Sequence, residues 1–215
     1  IFKEWFVKYN FPNKDGKPYK DNNGKMINSE LGLIPEGWRV VSLTDIADFV
    51  NGLPMQKYRP KEGQAFLPVI KIKELNSGYS KETEKARTDL DEKYIVNPGD
   101  LVFSWSGSIG MDLWKYSKGA LNQHLFKVTS TKYPKWFYYY WIKHYLPEFK
   151  QIAEGKATTM GHIQRGHLAN SLLPAPKDFK NYELFEAILQ KEINNNKNIN
   201  NLNEQKLSNL KYLIN

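Results

Sequence analysis

The chain has 215 residues, of which 40% are hydrophobic and 14% aromatic, so it has enough apolar material for a folded core. It contains no cysteine, which excludes disulfides, thiol catalysis and cysteine-based zinc sites, and fits a reducing compartment such as the cytoplasm. No apolar run approaches the length of a membrane span, so we expect no membrane partner.

The net charge of +8 is unevenly distributed along the chain. Residues 181–215 contain four lysines and four glutamates, so the whole excess lies in residues 1–180. A basic body suggests a polyanionic partner, whereas the alternative is a protein that happens to have a high pI. The first residue is Ile1 rather than Met, so we expect a piece of a longer gene product or a trimmed chain.

The N-terminal quarter predicts a helix end, a linker and the start of a domain. Residues 1–12, IFKEWFVKYNFP, read as the end of a helix, and residues 13–30 are polar and turn-rich, as in a linker. The following stretch IPEGWRVVSLTDIADFVNG predicts a turn, a short strand, and a helix that begins at Ser42 or Thr44 and ends near Asn51.

The middle of the chain predicts strands. A basic loop at residues 53–65 precedes AFLPVIKIKEL, a predicted strand in which Lys71 and Lys73 share one face. Residues 97–110, NPGDLVFSWSGSIG, predict a strand that ends in a Ser-Gly-Ser turn. The G-x-S-x-G pattern of a nucleophilic serine and the glycine patterns of phosphate loops are absent, so we interpret this stretch as a hairpin without catalytic function.

The last third predicts helices. Pro134 suits the first turn of a helix, and Pro147 is expected to start a second helical segment that stops before Gly155. Residues 156–176 read as a polar loop with a short helical turn, and from Asn181 onward a long helix has neither Pro nor Gly. We therefore predict an α+β fold, in which a globular mixed-sheet domain is followed by a long C-terminal helix.

The C-terminal helix has an irregular apolar stripe, interrupted by asparagines that are mediocre helix formers. Such a helix is marginal alone, so we favour a coiled-coil-like arm that pairs with another helix, including that of a second copy. The alternatives are a helix packed on its own domain and a solvated end. The residues expected to contact another subunit are Phe185, Ile188, Ile193, Ile199, Leu202, Leu207 and Leu210.

Two polar segments, residues 53–61 and residues 156–167, have the side chains that nucleic-acid recognition uses: Arg and Gln suit base edges, and Lys and Tyr suit phosphate. The alternative for both is a solvated polar loop. The second segment is also a candidate helix N-terminus with free N–H groups. The predicted DNA-binding residues are Gln56, Lys57, Tyr58, Arg59, Lys61, Lys71, Lys73, Lys156, Thr158, Thr159, His162, Gln164 and Arg165.

An enzymatic alternative rests on Glu154 and Lys156, which resemble the acidic and lysine end of a metal-dependent nuclease site, with Asp100 as a possible partner. Such short patterns are common by chance. None of the four histidines has a tight metal-ligand spacing, and His124 is expected to lie in a strand with a hydrogen-bonded structural role. We expect no cofactor and no metal.

Several segments together resemble the specificity subunit of type I restriction–modification enzymes. ELGLIPEGWRVVSLTDIADFVNG resembles the entry to a target recognition domain, and PVIKIKEL, NPGDLVFSWSGSIG and LNQHLFKV resemble its central strands. The closing segment of such a domain resembles GKATTMGHIQRGHLANSLLPAP. The first residues, IFKEWFV, resemble the end of a preceding conserved helical region. The chain departs from the family pattern after the Pro-rich exit, where the usual Glu-Gln pair is missing.

The resemblance implies a noncatalytic subunit that reads double-stranded DNA, docks methyltransferase subunits and, through them, restriction subunits. It also implies a division of the chain: residues 1–30 are the end of a helical region and a linker, residues 31–178 are a target recognition domain, and residues 179–215 are a conserved helical region. The site that the family reads is bipartite, and the chain is then either half of a two-domain subunit or one of two copies that dimerise through their arms and read a symmetric site. A protein-interaction module that ignores DNA is a further alternative.

Overall fold

The computed structural model describes residues 1–155 and 161–214, without the side chains of residues 203, 204 and 207–214. The strands are β1 (Met26–Ser29), β2 (Gly32–Pro35), β3 (Arg39–Ser42), β4 (Asp48–Asn51), β5 (Phe66–Ile70), β6 (Lys85–Arg87), β7 (Ile95–Val96), β8 (Leu101–Ser104), β9 (Gly110–Leu113), β10 (Gly119–Leu121), β11 (Leu125–Thr129) and β12 (Leu172–Ala175). The α-helices are α1 (Leu43–Ile46), α2 (Ile72–Ser77), α3 (Lys135–Glu154), α4 (Arg165–Asn170) and α5 (Glu183–Ile214). A short π-helix covers Lys3–Val7.

The predicted α+β class with a mixed sheet is confirmed. One four-stranded sheet has the order β4-β11-β8-β9 and is antiparallel, and a second has the order β6-β5-β10-β7, in which β5 and β10 are parallel. Two two-stranded sheets, β1-β2 and β12-β3, complete the β-structure. Among the described helices, none is long and apolar enough to cross a membrane.

The helix predicted to run to Asn51 is much shorter than expected. Of the two predicted start residues, Ser42 and not Thr44 is the N-cap: its hydroxyl accepts from the N–H of Asp45, whose carboxylate accepts in return from the Ser42 N–H. The hydrogen bonds that the Ser42 N–H and hydroxyl donate to the Asp45 carboxylate hold the pKa of Asp45 below its usual range. The helix ends at Ile46, because residues 48–51 form β4 and pair with β11, and this pairing outweighs a weak local helix preference.

The predicted strand through Lys71 and Lys73 is also wrong in its second half. β5 ends at Ile70, and Lys71 is the residue before α2, where its N–H donates to the Glu74 carboxylate. Lys71 and Lys73 therefore do not alternate along a strand. By contrast, the Ser-Gly-Ser stretch is a hairpin turn as predicted: β8 and β9 pair with Ser104 opposite Gly110, and Gly107 has a φ of 65°.

Pro147 does not divide the helix at residues 135–154, contrary to expectation. α3 is continuous over 20 residues and begins after Pro134. Proline removes one N–H donor from the helix, and the carbonyl it leaves unpaired belongs to residue 143. Both Pro147 and Lys143 are exposed, so water can satisfy that carbonyl at low cost.

An aromatic cluster joins the N-terminal segment, α3 and the start of α5. Phe6, Trp136 and Phe185 are all buried, and the ring centroids of Trp136 and Phe185 are 4.9 Å apart in a stacked arrangement. Farther along α5, Tyr139 donates to the Glu192 carboxylate at 2.7 Å, and burial raises the pKa of this tyrosine. The first three turns of α5 are therefore part of the domain core.

Candidate nucleic-acid interface

The hairpin turn after β8 is bonded to the segment that leads into α4. The Gly107 N–H donates to the Gly161 carbonyl at 2.9 Å, and the Ile163 N–H donates to the Trp105 carbonyl at 2.7 Å. A Cβ at Gly161 would overlap the backbone of Ala153 at the end of α3. The closing segment thus extends the sheet at the β8 end, in a close approach that only glycine allows.

The basic loop follows β4 and is attached to β10 and to the turn between β10 and β11. The Leu53 N–H donates to the Leu121 carbonyl at 3.0 Å, and the Gln123 N–H donates to the Leu53 carbonyl at 2.9 Å. A Cβ at Gly52 would overlap the carbonyl oxygens of Leu121 and Asn122. The basic loop therefore begins beside the turn between β10 and β11.

Three of the predicted DNA-contacting cations are held by carboxylates of this chain. Arg59 pairs with Glu84 at 2.7 Å, Lys71 pairs with the same carboxylate, and Lys73 pairs with Glu82 at 2.9 Å. The hydrogen bond from Lys71, with the charges of Lys71 and Arg59, lowers the pKa of Glu84. These pairs reduce the positive charge that the loop region presents to a polyanion.

The other residues of the basic loop differ in exposure. Gln56, Lys57 and Lys61 are exposed. Tyr58 is half-buried, with the guanidinium of Arg87 lying 5.1 Å from its ring centroid, so much of its ring is already in contact with this chain. Gln56, Lys57 and Lys61 are accordingly the loop side chains that stand open to a ligand.

The second predicted segment is only partly described. Lys156, Thr158 and Thr159 lie outside the described residues. Gln164 and Arg165 are exposed, while His162 is half-buried and forms a β-bridge with the hairpin turn. α4 begins after this stretch and has only six residues.

Two residues of this surface, Asn51 and Trp105, were not predicted from the sequence. Trp105 donates its indole N–H to the Asn51 side-chain oxygen at 2.9 Å, beside the ring of Phe126. Arg165 lies over the same Phe126 ring and donates to the Phe49 carbonyl at 3.1 Å. No sequence signal joins positions 51 and 105, because their contact exists only once β4 and β8 both flank β11.

His124 has the hydrogen-bonded role that was predicted, although it lies in the turn between β10 and β11 rather than in a strand. Its Nδ1 is 3.0 Å from the hydroxyl of Ser106, and its Nε2 is 3.3 Å from the side-chain nitrogen of Gln123. Ser106 is buried. The pair joins the hairpin turn to the β10–β11 turn, which is a structural function.

The nuclease alternative is not supported by the geometry. Asp100 accepts from the Asn97 N–H and pairs with Lys127 at 3.1 Å, next to the first residue of α3. Glu154 is the last residue of that 20-residue helix, which is roughly 30 Å long. The described residues contain no group of three His, Cys, Asp or Glu side chains able to hold a metal, and Lys156 lies outside them.

The residues expected to contact another subunit fall into two groups. Phe185 and Ile193 are buried in this chain's own core, so their surface is used within the domain, and Ile188 is half-buried. Ile199 and Leu202 are 57% and 63% exposed. The side chains of Leu207 and Leu210 lie outside the description, so the subunit-contact prediction remains open for the outer half of α5.

A family model described as the type I restriction modification DNA specificity domain matches residues 35–211. The chain belongs to this family. Members of the specificity family that it resembles include the EcoBI specificity subunit of Escherichia coli, 26% identical over 145 residues, which are 66% of this chain and 30% of that subunit. It is also similar to the MjaIX specificity subunit of Methanocaldococcus jannaschii, 27% identical over 214 residues, 93% of this chain and 47% of that one.

The fold of this specificity-family chain is similar to that of a solved relative. The HsdS subunit from Thermoanaerobacter tengcongensis superposes with a TM-score of 0.52 at 17% identity, over 77% of this chain and 40% of that one. This likeness supports the fold alone. The chain spans less than half the length of each of these three relatives.

Proposed function

We propose that the chain is a noncatalytic DNA sequence-recognition module of a type I restriction–modification complex. It binds double-stranded DNA, reads one half of a bipartite site, and positions methyltransferase subunits and, through them, restriction subunits. The match of the DNA specificity domain to residues 35–211 carries this proposal.

The DNA-facing surface is proposed to lie at the sheet end that carries the two polar segments. Lys57 and Lys61 supply positive charge for phosphates, and Gln56, Gln164 and Arg165 are exposed side chains suited to base edges. Arg59, Lys71 and Lys73 contribute less free charge, because each pairs with a glutamate. Lys156, Thr158 and Thr159 stay in the proposal from their sequence alone.

The outer half of α5 is proposed to contact other polypeptides. Ile199 and Leu202 are large apolar side chains that this chain leaves exposed, and a helix end of this composition gains stability from a partner. The partner is a methyltransferase subunit or the arm of a second copy. The division into residues 1–30, 31–178 and 179–215 is retained as a proposal, although one aromatic cluster draws on all three parts.

The test is the salt dependence of duplex binding by the whole chain. The logarithm of the binding constant falls linearly with the logarithm of the salt concentration. Removing one lysine that binds a phosphate should make this negative slope shallower by about 0.9. The double variant Lys57→Ala/Lys61→Ala is therefore expected to make the slope shallower by about 1.8. The matched control is Lys191→Ala/Lys197→Ala, which removes two exposed lysines from α5.

The control pair is expected to leave the slope unchanged. Equal effects of the two double variants would contradict the placement of the interface on the basic loop. An affinity for duplex DNA that is absent, or unchanged by salt, would contradict the function itself and would favour a protein-interaction module.

A further inference from the structure

A shallow cleft of about 310 Å³ lies where the end of β4, the turn after β8 and the start of α4 meet. Trp105 and Phe126 form its apolar floor, and Asn51, Gln164 and Arg165 lie around it. Asn51 and Arg165 are exposed, and Trp105 is half-buried. The cleft therefore combines two aromatic rings with polar side chains, and the hydrogen bonds that Asn51 and Arg165 already make show which of their atoms remain available to a ligand.

The contact with Trp105 fixes the orientation of the Asn51 carboxamide. An indole N–H is only a donor, so the Asn51 atom 2.9 Å away from it must be the amide oxygen. The amide nitrogen then points away from the indole with two N–H groups. Within the described part of the chain this nitrogen has no hydrogen-bond partner, so Asn51 presents donors.

Arg165 is held in place at the same cleft. Its guanidinium lies 5.5 Å from the centroid of the Phe126 ring, and one terminal nitrogen donates to the Phe49 carbonyl at 3.1 Å. A guanidinium carries five N–H donors and no acceptor, so donors remain after this bond is made. Asn51 and Arg165 thus both present hydrogen-bond donors to the cleft.

In the major groove, guanine presents two acceptors, N7 and O6, whereas adenine and cytosine each present an amino donor. The donors of Asn51 and Arg165 match the two acceptors of guanine. Adenine and cytosine would set an amino donor against them, and thymine offers a single acceptor, O4, beside its methyl group. We infer that the Trp105 cleft reads one guanine of the DNA site, with Asn51 and Arg165 as specificity-determining residues and Trp105 as a positioning residue. This inference rests on the proposed function.

Trp105 affects base preference, because its indole N–H fixes which atoms of the Asn51 amide face the DNA. Asparagine with a free amide pairs bidentately with adenine, using its oxygen to accept from N6 and its nitrogen to donate to N7. The indole bond prevents this by holding the oxygen inward. Trp105→Phe keeps an aromatic floor but removes the N–H, so the Asn51 amide is free to rotate and accept adenine.

The experiment is selection of binding sites from a random duplex library by the whole chain, with the unfolding temperature of each variant as a folding check. Wild type is expected to select a motif that contains a guanine. Asn51→Asp replaces donors by acceptors, and is expected to lower the guanine preference at one position on the order of 10- to 100-fold. Trp105→Phe is expected to admit adenine at that same position. Asn198→Asp, with the same charge change at an exposed position on α5, is the control.

An unchanged motif in both Asn51→Asp and Trp105→Phe, or a wild-type motif without guanine, would overturn the inference and leave the proposed function standing. A wild-type chain that retains no duplex from the library at any salt concentration would overturn both. Loss of preference at several positions in the Asn198→Asp control would mean that the change at Asn51 acts through charge alone, which also overturns the inference.

Discussion

The docking of the first turns of α5 predicts that Phe185→Ala strongly destabilises the domain. Phe185 has no exposed surface, and its ring centroid is 5.2 Å from that of Trp5, 5.4 Å from Phe6 and 4.9 Å from Trp136. Truncation of a buried phenylalanine costs about 3–5 kcal/mol, and rigid rings around the site limit collapse into the cavity. We expect a loss of about 4 kcal/mol in the free energy of unfolding.

Urea unfolding followed by tryptophan fluorescence measures this loss, and thermal unfolding gives a second readout. A domain of this length shifts its Tm by roughly 2–4 °C per kcal/mol, so about 4 kcal/mol corresponds to roughly 8–16 °C. The adjacent Leu184 is 45% exposed and provides the matched control: Leu184→Ala removes the same helix's apolar surface at a cost of about 1 kcal/mol or less.

Equal costs for Phe185→Ala and Leu184→Ala would refute the reasoning. They would mean that the start of α5 does not pack on the aromatic cluster and that the helix is free along its whole length. A large difference between the two variants assigns the inner turns of α5 to the domain and leaves only the outer turns for a partner.

Two further predictions concern the local structure near the interface. Gly52→Ala places a Cβ against two backbone carbonyls, so it is expected to cost about 1–3 kcal/mol and to weaken duplex binding, whereas Gly110→Ala, with open space around it, should be neutral in both measurements. Asp45→Ala removes the capping box at Ser42 and should cost about 0.5–1 kcal/mol in urea unfolding at pH 7. Because the folded-state pKa of Asp45 is depressed, its contribution is present above the usual aspartate pKa of about 3.9 and is lost as the pH falls through the lower folded value, so wild type and variant should converge in acid. A difference between them that persists unchanged at acidic pH would contradict this assignment.

The cation pairs also bear on how a basic sequence becomes a binding surface. The charged stretch at residues 76–93 contains Glu82 and Glu84, which fold back onto Lys73, Lys71 and Arg59. Three cations that looked available in the sequence are thereby partly neutralised. The exposed lysines of the basic loop, at positions 57 and 61, are better candidates for phosphate contacts than the arginine between them.

The sequence by itself determined the features that depend on neighbouring residues. The Ser-Gly-Ser turn follows from small residues between two apolar runs, and a helix start at Ser42 or Thr44 follows from their hydroxyl side chains. The long helix after position 181 follows from the absence of Pro and Gly, and the α+β class follows from the succession of such elements. Each of these signals is contained within a few consecutive residues.

The tertiary structure alone decided the features that depend on residues far apart in the chain. Residues 48–51 became a strand because β11 lies beside them. Helix α3 continues through Pro147 because Pro147 and Lys143 are exposed, so water can satisfy the carbonyl that the proline leaves unpaired. The hydrogen bond between Trp105 and Asn51 joins residues that are 54 positions apart, so no local sequence pattern predicts it. Local preferences differ by about 1 kcal/mol or less per residue, and strand pairing, burial and distant hydrogen bonds together exceed that and decide the outcome.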